Sequence, residues 1–273
     1  MSNLPHEILT TAYADHIIDI DSECIIWHDG TRMRVNETMG GEIIPIPRIE
    51  ERDMAARLAD PTLLDQIAMP YQRGSHGGVS DAGRLRFEPF FTKMYGATEH
   101  EVRAHLVEIP WIGSVIYDTS YSSPGCKDNM IPASRVNRVD SRMASVIREL
   151  SDFSAEFSEY FSGAGGTYTS KLVAGTNRRS AHNFGIAIDI GIAVSNYWLW
   201  DFKHAKGLTR DQEHVVENAI GLADVPRFRN RIPLEIIAVF EDHGFIWGGH
   251  WLHYDTMHFE YRPELLRPLK SLP

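Results

Sequence analysis

The chain contains the stretch Ser180-Ala-His-Asn-Phe-Gly-Ile-Ala-Ile-Asp189, in which a histidine and an aspartate flank a short apolar run. Far downstream, Asp255-Thr-Met-His258 supplies a second histidine and a second acid. Catalytic zinc usually takes three protein ligands from His, Asp, Glu or Cys and leaves a fourth position for water, whose proton a separate carboxylate handles. The two segments offer these four groups, so they predict a metal site at which the two segments meet in the folded chain.

The first segment predicts a bend followed by a strand. From Ile186 to Ala193 large and small side chains alternate, which indicates one face of isoleucines and one thin face that carries Asp189. A carboxylate in such an apolar strand is costly to bury, so Asp189 needs a cation or a full set of hydrogen bonds. His182 lies at an odd spacing from it, on the opposite face of a straight strand. We therefore expect a bend, which Gly185 permits at low cost.

The second segment predicts another strand. Residues Met257–Tyr261 alternate apolar and polar side chains, so His258 shares a face with Glu260. Asp255 lies just before this strand. By distance along the chain, either acid could carry the proton of the attacking water, and Glu260 could instead orient the imidazole of His258.

Taken one at a time, these groups have ordinary explanations. A lone His182 is typical of a histidine hydrogen-bonded to backbone, and its pairing with Asp189 and the second segment is what favours a ligand. His250 and His253 could compete as ligands, but we interpret them as residues of an aromatic loop. A buried hydrogen-bonded network without metal remains an alternative.

Length and patterning predict an α+β chain in two parts. The 273 residues fit one large domain or a catalytic domain with a companion region. A breaker-rich stretch at 122–129 precedes the strongest helical periodicity, so we predict a companion region at 1–130 and a catalytic domain at 131–273. In the catalytic domain we expect a small antiparallel sheet to carry the metal site while helices cover its other face.

Local patterns add four expectations. Apolar residues at steps of three and four predict a helix from Asp140 through Phe161, ending at Gly163, and a second from Pro233 to Gly244. Asp29-Gly30 indicates a hairpin turn, and the Gly-rich run at 71–84 an exposed loop.

Composition excludes several classes of protein. The formal net charge is −10, from 27 Lys plus Arg against 37 Asp plus Glu, which lacks the basic excess that nucleic-acid binding requires. No stretch approaches the ~20 apolar residues of a membrane span. The amino terminus has no signal pattern, so we expect either a cytoplasmic protein or a sequence that begins after a removed signal. Cys24 and Cys126 leave a disulfide open.

At these residues the chain resembles the zinc D-alanyl-D-alanine carboxypeptidase and L-alanyl-D-glutamate endopeptidase family. Its signature is Ser-x-His-x-x-Gly-x-Ala-x-Asp followed by acid-x-x-His, and both motifs are matched here, the second with Asp. The resemblance covers roughly residues 130 to 267. A weaker resemblance, clearest at Arg86–Tyr95, relates residues 1 to about 130 to the companion region of envelope-directed bacterial members, where we expect a packing extension.

The resemblance implies a role for each motif residue. His182, Asp189 and His258 correspond to the ligands of Zn²⁺, and Asp255 to the general base. The family usually carries an arginine on the preceding element, and Lys171 stands at the matching position. Lysine keeps a point positive charge but loses the bidentate fork of arginine. Two neighbouring side chains, Arg178 and Arg179, are therefore alternative donors to the oxyanion.

The implied activity is hydrolysis of peptide bonds in peptidoglycan stem peptides that contain D-amino acids. The resemblance leaves open whether the bond is terminal or internal, and the oligomeric state is open as well. The implied location is the bacterial periplasm or cell envelope if a signal has been removed, and otherwise the cytoplasm. The competing hypothesis is a zinc-stabilised module that binds cell-wall peptide without cutting it.

Overall fold

The computed structural model describes residues 4–69, 71–74, 81–116, 129–153, 155–165, 167–170, 178–207 and 225–266. The chain begins with helix α1 (Leu4–Ala12) and a three-stranded antiparallel sheet, whose strands are β1 (Ile17–Ile20), β2 (Cys24–Trp27) and β3 (Arg32–Arg34). The hairpin predicted at Asp29-Gly30 joins β2 to β3, and Gly30 adopts a φ of 80° there. Cys24 is a buried free cysteine, and Cys126 lies outside the described residues.

A series of short helices follows. They are α2 (Ile46–Ile49), α3 (Met54–Ala59), α4 (Leu63–Ala68), α5 (Glu88–Tyr95) and α6 (Glu99–Ala104). Two of them begin with capping boxes, in which Thr62 pairs with Asp65 and Thr98 with Glu101. These caps satisfy backbone N–H groups that the first turn of a helix leaves without intrahelical partners.

Two pairs of strands connect residues on either side of position 130. Strand β4 (Leu106–Pro110) pairs antiparallel with β6 (Met130–Ser134), and β5 (Val115–Ile116) pairs parallel with β7 (Ala164–Gly165). One hydrophobic cluster also runs through both parts of the chain, from Leu9 to Tyr261. The boundary near residue 130 stays a prediction, and the packing across it is extensive.

The largest sheet has the strand order β5-β7-β8-β10-β9. Its remaining strands are β8 (Ala187–Asp189), β9 (Phe245–Trp247) and β10 (His258–Tyr261). Apart from the β5–β7 pair, neighbouring strands run antiparallel. The predicted α+β class with small antiparallel sheets is therefore confirmed.

The described helices after position 130 are α7 (Val139–Ser151), α8 (Ser158–Phe161), α9 (Trp198–Lys206) and α10 (Leu234–Asp242). Of these, α10 packs on one face of the largest sheet. The ring of Phe240 on α10 stacks on Phe259 of β10, with centroids 4.0 Å apart. Since side chains alternate along a strand, this contact leaves His258 and Glu260 on the opposite face of β10. Helix α10 ends close to the predicted stop at Gly244, whose φ is 95°.

The predicted long helix from Asp140 to Phe161 is wrong beyond Ser151. The Ser151 hydroxyl donates to the Ile147 carbonyl at 2.7 Å, which competes with continued backbone pairing. The chain then turns, so that Phe153 and Phe157 are only half-buried. Aromatic residues four apart are compatible with a helix or with successive turns, which is why the spacing misled.

Two further expectations need correction. The strand after Gly185 ends at Asp189, because Gly191 takes a left-handed φ of 56° and begins a 3₁₀ turn at Ile192–Val194. The run at 71–84 is not simply an exposed loop: Asp81 and Ala82 are fully buried. Residues 75–80 of that run lie outside the described residues. No helix within the described ranges is long and apolar enough to cross a membrane.

Candidate metal centre

His182 lies on a 3₁₀ turn, Ala181–Phe184, that ends at the predicted bend. The Ser180 hydroxyl caps this turn by accepting from the backbone N–H of His182 at 3.4 Å. Gly185 follows with a φ of 67°, and a Cβ there would come within 2.4 Å of Leu106. The left-handed backbone angle favours glycine here, and a larger residue would also push against the end of the Leu106 side chain.

Asp189 and His258 face each other across the pair β8–β10. They are direct partners in the antiparallel register, and the turn that holds His182 brings its imidazole against both of them. The His258 Nδ1 atom lies 2.9 Å from Asp189 Oδ1. The His182 Nε2 atom lies 3.2 Å from Asp189 Oδ1 and 3.2 Å from His258 Nδ1. Among the described residues, these three form a group able to hold a metal ion, which is called the metal group below.

The donor set fits a divalent cation better than it fits protons alone. Three atoms that touch one another in a triangle can share at most two well-aligned hydrogen bonds, because two N–H groups cannot point at each other. A cation satisfies all three lone pairs at once. Tetrahedral zinc with bonds of about 2.0–2.1 Å keeps its ligand atoms about 3.3 Å apart, which is close to the separations found here.

The electrostatics of the site also favour a positive charge at its centre. Burial by itself raises the pKa of Asp189, but the attraction of His182 and hydrogen bonds from both histidines hold that pKa well below its usual range. Burial lowers the pKa of His258, yet hydrogen bonds to Asp189 and Glu260 outweigh it and raise the pKa to about 10. A proton on the imidazole thus supplies a charge that a bound metal would supply in its place.

Glu260 supports His258 from behind. Its Oε2 atom lies 3.2 Å from His258 Nε2, the ring nitrogen that faces away from Asp189. Burial raises the pKa of Glu260, but Arg86 and His258 outweigh it and lower the pKa to about 2. A carboxylate that accepts the distal N–H of a ligand histidine fixes its tautomer and orientation, so Glu260 takes the supporting place that the sequence left open to it.

Asp255 is held by its backbone immediately before β10. Its N–H donates to Gly248 O at 3.0 Å, and its carbonyl accepts from the His258 N–H at 3.2 Å. It also forms an isolated antiparallel bridge with Tyr197. The half-buried Asp255 carboxylate is therefore carried by a fixed turn three residues from a proposed ligand.

Comparison with known families identifies the part of the chain in which these residues lie. Residues 174–261 match the model of a family described as D-alanyl-D-alanine carboxypeptidase. The resemblance to these peptidases is confirmed. The matched range, called the peptidase segment below, contains both motifs. No curated protein and no solved structure gives a significant match to the chain.

The cations next to the peptidase segment's first motif are engaged with the N-terminal region. Arg179 donates to Glu88 at 3.1 Å, to Thr92 Oγ1 at 2.7 Å and to Ala97 O at 3.0 Å. Its guanidinium also lies over the Phe184 ring, 4.6 Å from the centroid. These contacts anchor the start of the motif on α5.

Arg178 has other partners than Arg179. Arg178 donates to the carbonyls of Leu58 and Arg84, at 3.4 and 2.5 Å, and burial lowers its pKa to about 10. Lys171 lies outside the described residues. The oxyanion role assigned to these side chains stays a prediction.

The sequence missed two contributors from the N-terminal region. Arg86 donates to Glu260 at 3.0 Å, and Asp81 accepts from both the backbone N–H and the ring Nδ1 of His253. Arg86 stands between the apolar residues Leu85 and Phe87, a pattern typical of an extended segment with one polar face. Nothing in this pattern links Arg86 to a glutamate 174 positions later. His250 and His253 lie outside the metal group, as expected for loop histidines.

Proposed function

We propose that this protein is a zinc peptidase that hydrolyses peptide bonds in peptidoglycan stem peptides containing D-amino acids. The observation that carries the proposal is the convergence of three ligand atoms, from His182, Asp189 and His258, inside a segment that matches a carboxypeptidase family. Either finding alone is weaker, since a family match does not guarantee an intact site and buried His–Asp groups also occur without metal.

The proposal gives each residue of the two motifs a role. His182 through Nε2, His258 through Nδ1 and Asp189 through Oδ1 would hold Zn²⁺. Zinc at such a site lowers the pKa of water toward ~7 and polarises a carbonyl group. Asp255 would take the proton of the attacking water and deliver it to the leaving amine. Its position on a rigid turn suits this task, because a proton carrier must keep its place while the substrate changes.

A cation would stabilise the charge that develops on the carbonyl oxygen, an interaction worth about 3 kcal/mol for a well-placed donor. Lys171 remains the proposed donor, on the resemblance. Arg179 is a weaker candidate, because its donors are directed at Glu88, Thr92 and Ala97, and those contacts would have to break first. Arg178 would likewise have to leave two backbone carbonyls.

The substrate follows from the family described for the peptidase segment. Stem peptides carry carboxylates and D-alanyl residues, and a peptidoglycan substrate would place the protein at the bacterial cell envelope. The cut could be terminal, as in carboxypeptidases, or internal, as in endopeptidases. The products of digestion distinguish these two modes.

The proposal is tested with purified peptidoglycan fragments and identification of the products by mass. Protein loaded with zinc should release D-amino acids or shorter stem peptides, chelator-stripped protein should release none, and added Zn²⁺ should restore the activity. Identical products from stripped and loaded protein would contradict zinc dependence. The binding-module hypothesis gains support if the loaded protein retains labelled fragments on a column and yields no product.

A further inference from the structure

Glu260 is a fully buried carboxylate held between two guanidinium groups. Arg262 donates to its Oε1 atom and Arg86 to its Oε2 atom, each at 3.0 Å, and both arginines are themselves almost completely buried. Burying an unpaired carboxylate would be very costly, so the two arginines are a condition for Glu260 to remain charged and fixed in this place.

The two arginines differ in which oxygen they hold. Arg86 binds Oε2, the same oxygen that receives His258 Nε2 at 3.2 Å. Arg262 binds the other oxygen and also pairs with Glu264 at 2.5 Å. Arg86 therefore determines where the oxygen that orients the His258 ring can lie, whereas Arg262 holds the far side of the carboxylate.

Arg86 also reaches the other histidine of the metal group. Its Nη2 atom donates to the carbonyl of Arg179 at 2.9 Å. Arg179 directly precedes Ser180, whose hydroxyl caps the turn that carries His182. A single guanidinium thus joins the support of His258 to the backbone that leads into His182.

The residues around Arg86 pack against the same part of the peptidase segment. Asp81 accepts from the His253 backbone N–H at 3.1 Å, and a Cβ at Gly83 would lie 2.0 Å from the Trp251 ring. The Trp251 ring in turn lies 5.4 Å from that of His258. The stretch from Asp81 to Arg86 therefore packs on residues that neighbour the metal group, although it belongs to the N-terminal region.

We propose that Arg86 is a positioning residue of the metal centre, by which the N-terminal region orients His258 through Glu260 and fixes the approach to His182. This inference rests on the proposed function, because it concerns how tightly the three ligands hold a metal. It assigns the N-terminal region a part in metal binding beyond the packing role expected from its sequence.

A second buried carboxylate provides the matched control. Asp65 is fully buried in the N-terminal region and is also flanked by two arginines, Arg52 and Arg57. It caps helix α4 and has no part in the metal group. Arg52→Gln should therefore destabilise the fold, as the loss of a buried ion pair does, without changing how the protein binds metal.

The experiment measures Zn²⁺ affinity by competition with a chelator, together with thermal unfolding and the visible spectrum of Co²⁺-loaded protein. Glu260→Gln should lower zinc affinity about 10–100-fold, the effect of losing a partner of a ligand histidine. Arg86→Gln should lower it within the same range and shift the Co²⁺ spectrum. In the double variant the loss should not exceed that of Glu260→Gln alone, because both changes disrupt one connection.

The outcomes separate this inference from the proposed function. Wild-type protein without zinc affinity would overturn both. Wild-type affinity in folded Arg86→Gln, within the roughly twofold scatter of independent sites, would overturn the Arg86 proposal alone. That proposal also fails if Arg52→Gln weakens zinc binding as much as Arg86→Gln does, since the effect would then reflect general destabilisation.

A conservative variant keeps the proposal testable if Arg86→Gln does not fold. Arg86→Lys retains a positive charge beside Glu260 but cannot donate to Glu260 and to the Arg179 carbonyl in the same forked geometry. It should fold and bind zinc with an affinity between those of wild type and Glu260→Gln. Wild-type zinc affinity in Arg86→Lys, or its failure to fold, would contradict a positioning role.

Discussion

Two buried histidine–carboxylate clusters lie close together in the chain, and they differ in how their atoms meet. In the metal group, one atom each from His182, Asp189 and His258 meets the other two at 2.9–3.2 Å. In the second cluster, the ring of His250 lies 3.1 Å from Glu241, which also accepts from the Tyr71 hydroxyl at 2.6 Å. Both clusters use buried histidines, and the acid is buried in the second cluster and half-buried in the metal group.

The second cluster forms a chain of donors and acceptors. The Trp247 N–H donates to Tyr71 Oη at 2.8 Å, and the Tyr71 hydroxyl donates to the Glu241 carboxylate. The His250 ring nitrogen Nε2 contacts the same carboxylate oxygen. Each contact pairs one donor with one acceptor, so the cluster is satisfied by its own protons. The metal group instead brings one atom from each of three side chains together in a triangle. Residue type alone therefore does not distinguish the two clusters, whereas the convergence of three atoms does, and it is this geometry that motivates the proposed ligand set.

The largest expected effect comes from comparing two variants, each of which replaces one histidine of one cluster by glutamine. His258→Gln should reduce bound zinc from about one per chain to nearly none and abolish hydrolysis, because a three-ligand site loses a ligand. His250→Gln should keep zinc and lose only stability. Metal analysis of protein purified without chelator measures both. Full zinc retention in His258→Gln would show that the ligand set is wrong, and zinc loss in folded His250→Gln would erase the distinction between the clusters.

The two acids near the second motif should separate chemistry from metal binding. Asp255→Asn should bind zinc normally and lose about 10²–10⁴-fold in turnover, the usual contribution of a general base. Glu260→Gln should weaken zinc affinity more than it slows the chemical step at saturating zinc. Turnover with stem peptides and zinc titrations decide this. If Asp255→Asn stays active while zinc-loaded Glu260→Gln is dead, the roles must be exchanged.

Two features of the site could be predicted from the sequence, because they depend on local geometry. The bend at Gly185 and the shared face of His258 and Glu260 follow from spacing and alternation, and the structure contains both. The strand pair that brings Asp189 opposite His258 joins segments far apart in sequence. The donor types and the resemblance to a known family had both placed the two segments in one site, but neither predicted this strand register.

The support of the site could not be predicted from sequence, because it depends on contacts across the whole chain. Arg86, Asp81 and Gly83 contact the peptidase segment through tertiary packing that no periodicity encodes. The glycine-rich composition of 71–84 predicted an exposed loop, yet Asp81 is buried because His253 satisfies its carboxylate. Composition reports average tendencies, and a specific partner overrides them.

A smaller effect is expected from a change that displaces the backbone of Asp255 while keeping the three side chains of the metal group. A Cβ at Gly248 would lie 2.4 Å from the Asp255 carbonyl oxygen, so Gly248→Ala must displace that backbone. Displacing a catalytic group by about 1 Å can cost about 10²-fold in rate. Turnover should fall by up to that factor while zinc content stays at the wild-type level. Unchanged turnover would argue against a role for Asp255 in the chemical step.

The smallest expected effect concerns a third pair, Asp81 with His253, which resembles the His250 cluster in pairing donor with acceptor. Burial raises the pKa of Asp81, but the hydrogen bonds and attraction of His253 outweigh it, so the pKa lies below the usual value. A depressed carboxyl pKa contributes stability above the unfolded pKa of about 3.9, and that contribution is lost as the pH falls through the folded pKa. Asp81→Asn should therefore lower stability at neutral pH and flatten its loss in acid.

The measurement is the urea midpoint of metal-free protein at about pH 6 and about pH 3.5, on either side of the unfolded pKa of aspartate. Working without metal removes the loss of zinc in acid as a separate cause, and other carboxyls contribute equally to both proteins. The drop in midpoint between the two pH values should be smaller in Asp81→Asn than in wild type, while zinc affinity at neutral pH stays nearly unchanged. Equal drops would mean that His253 does not stabilise the Asp81 carboxylate. The pair could then no longer serve as an example of a histidine and an acid that satisfy each other without a metal.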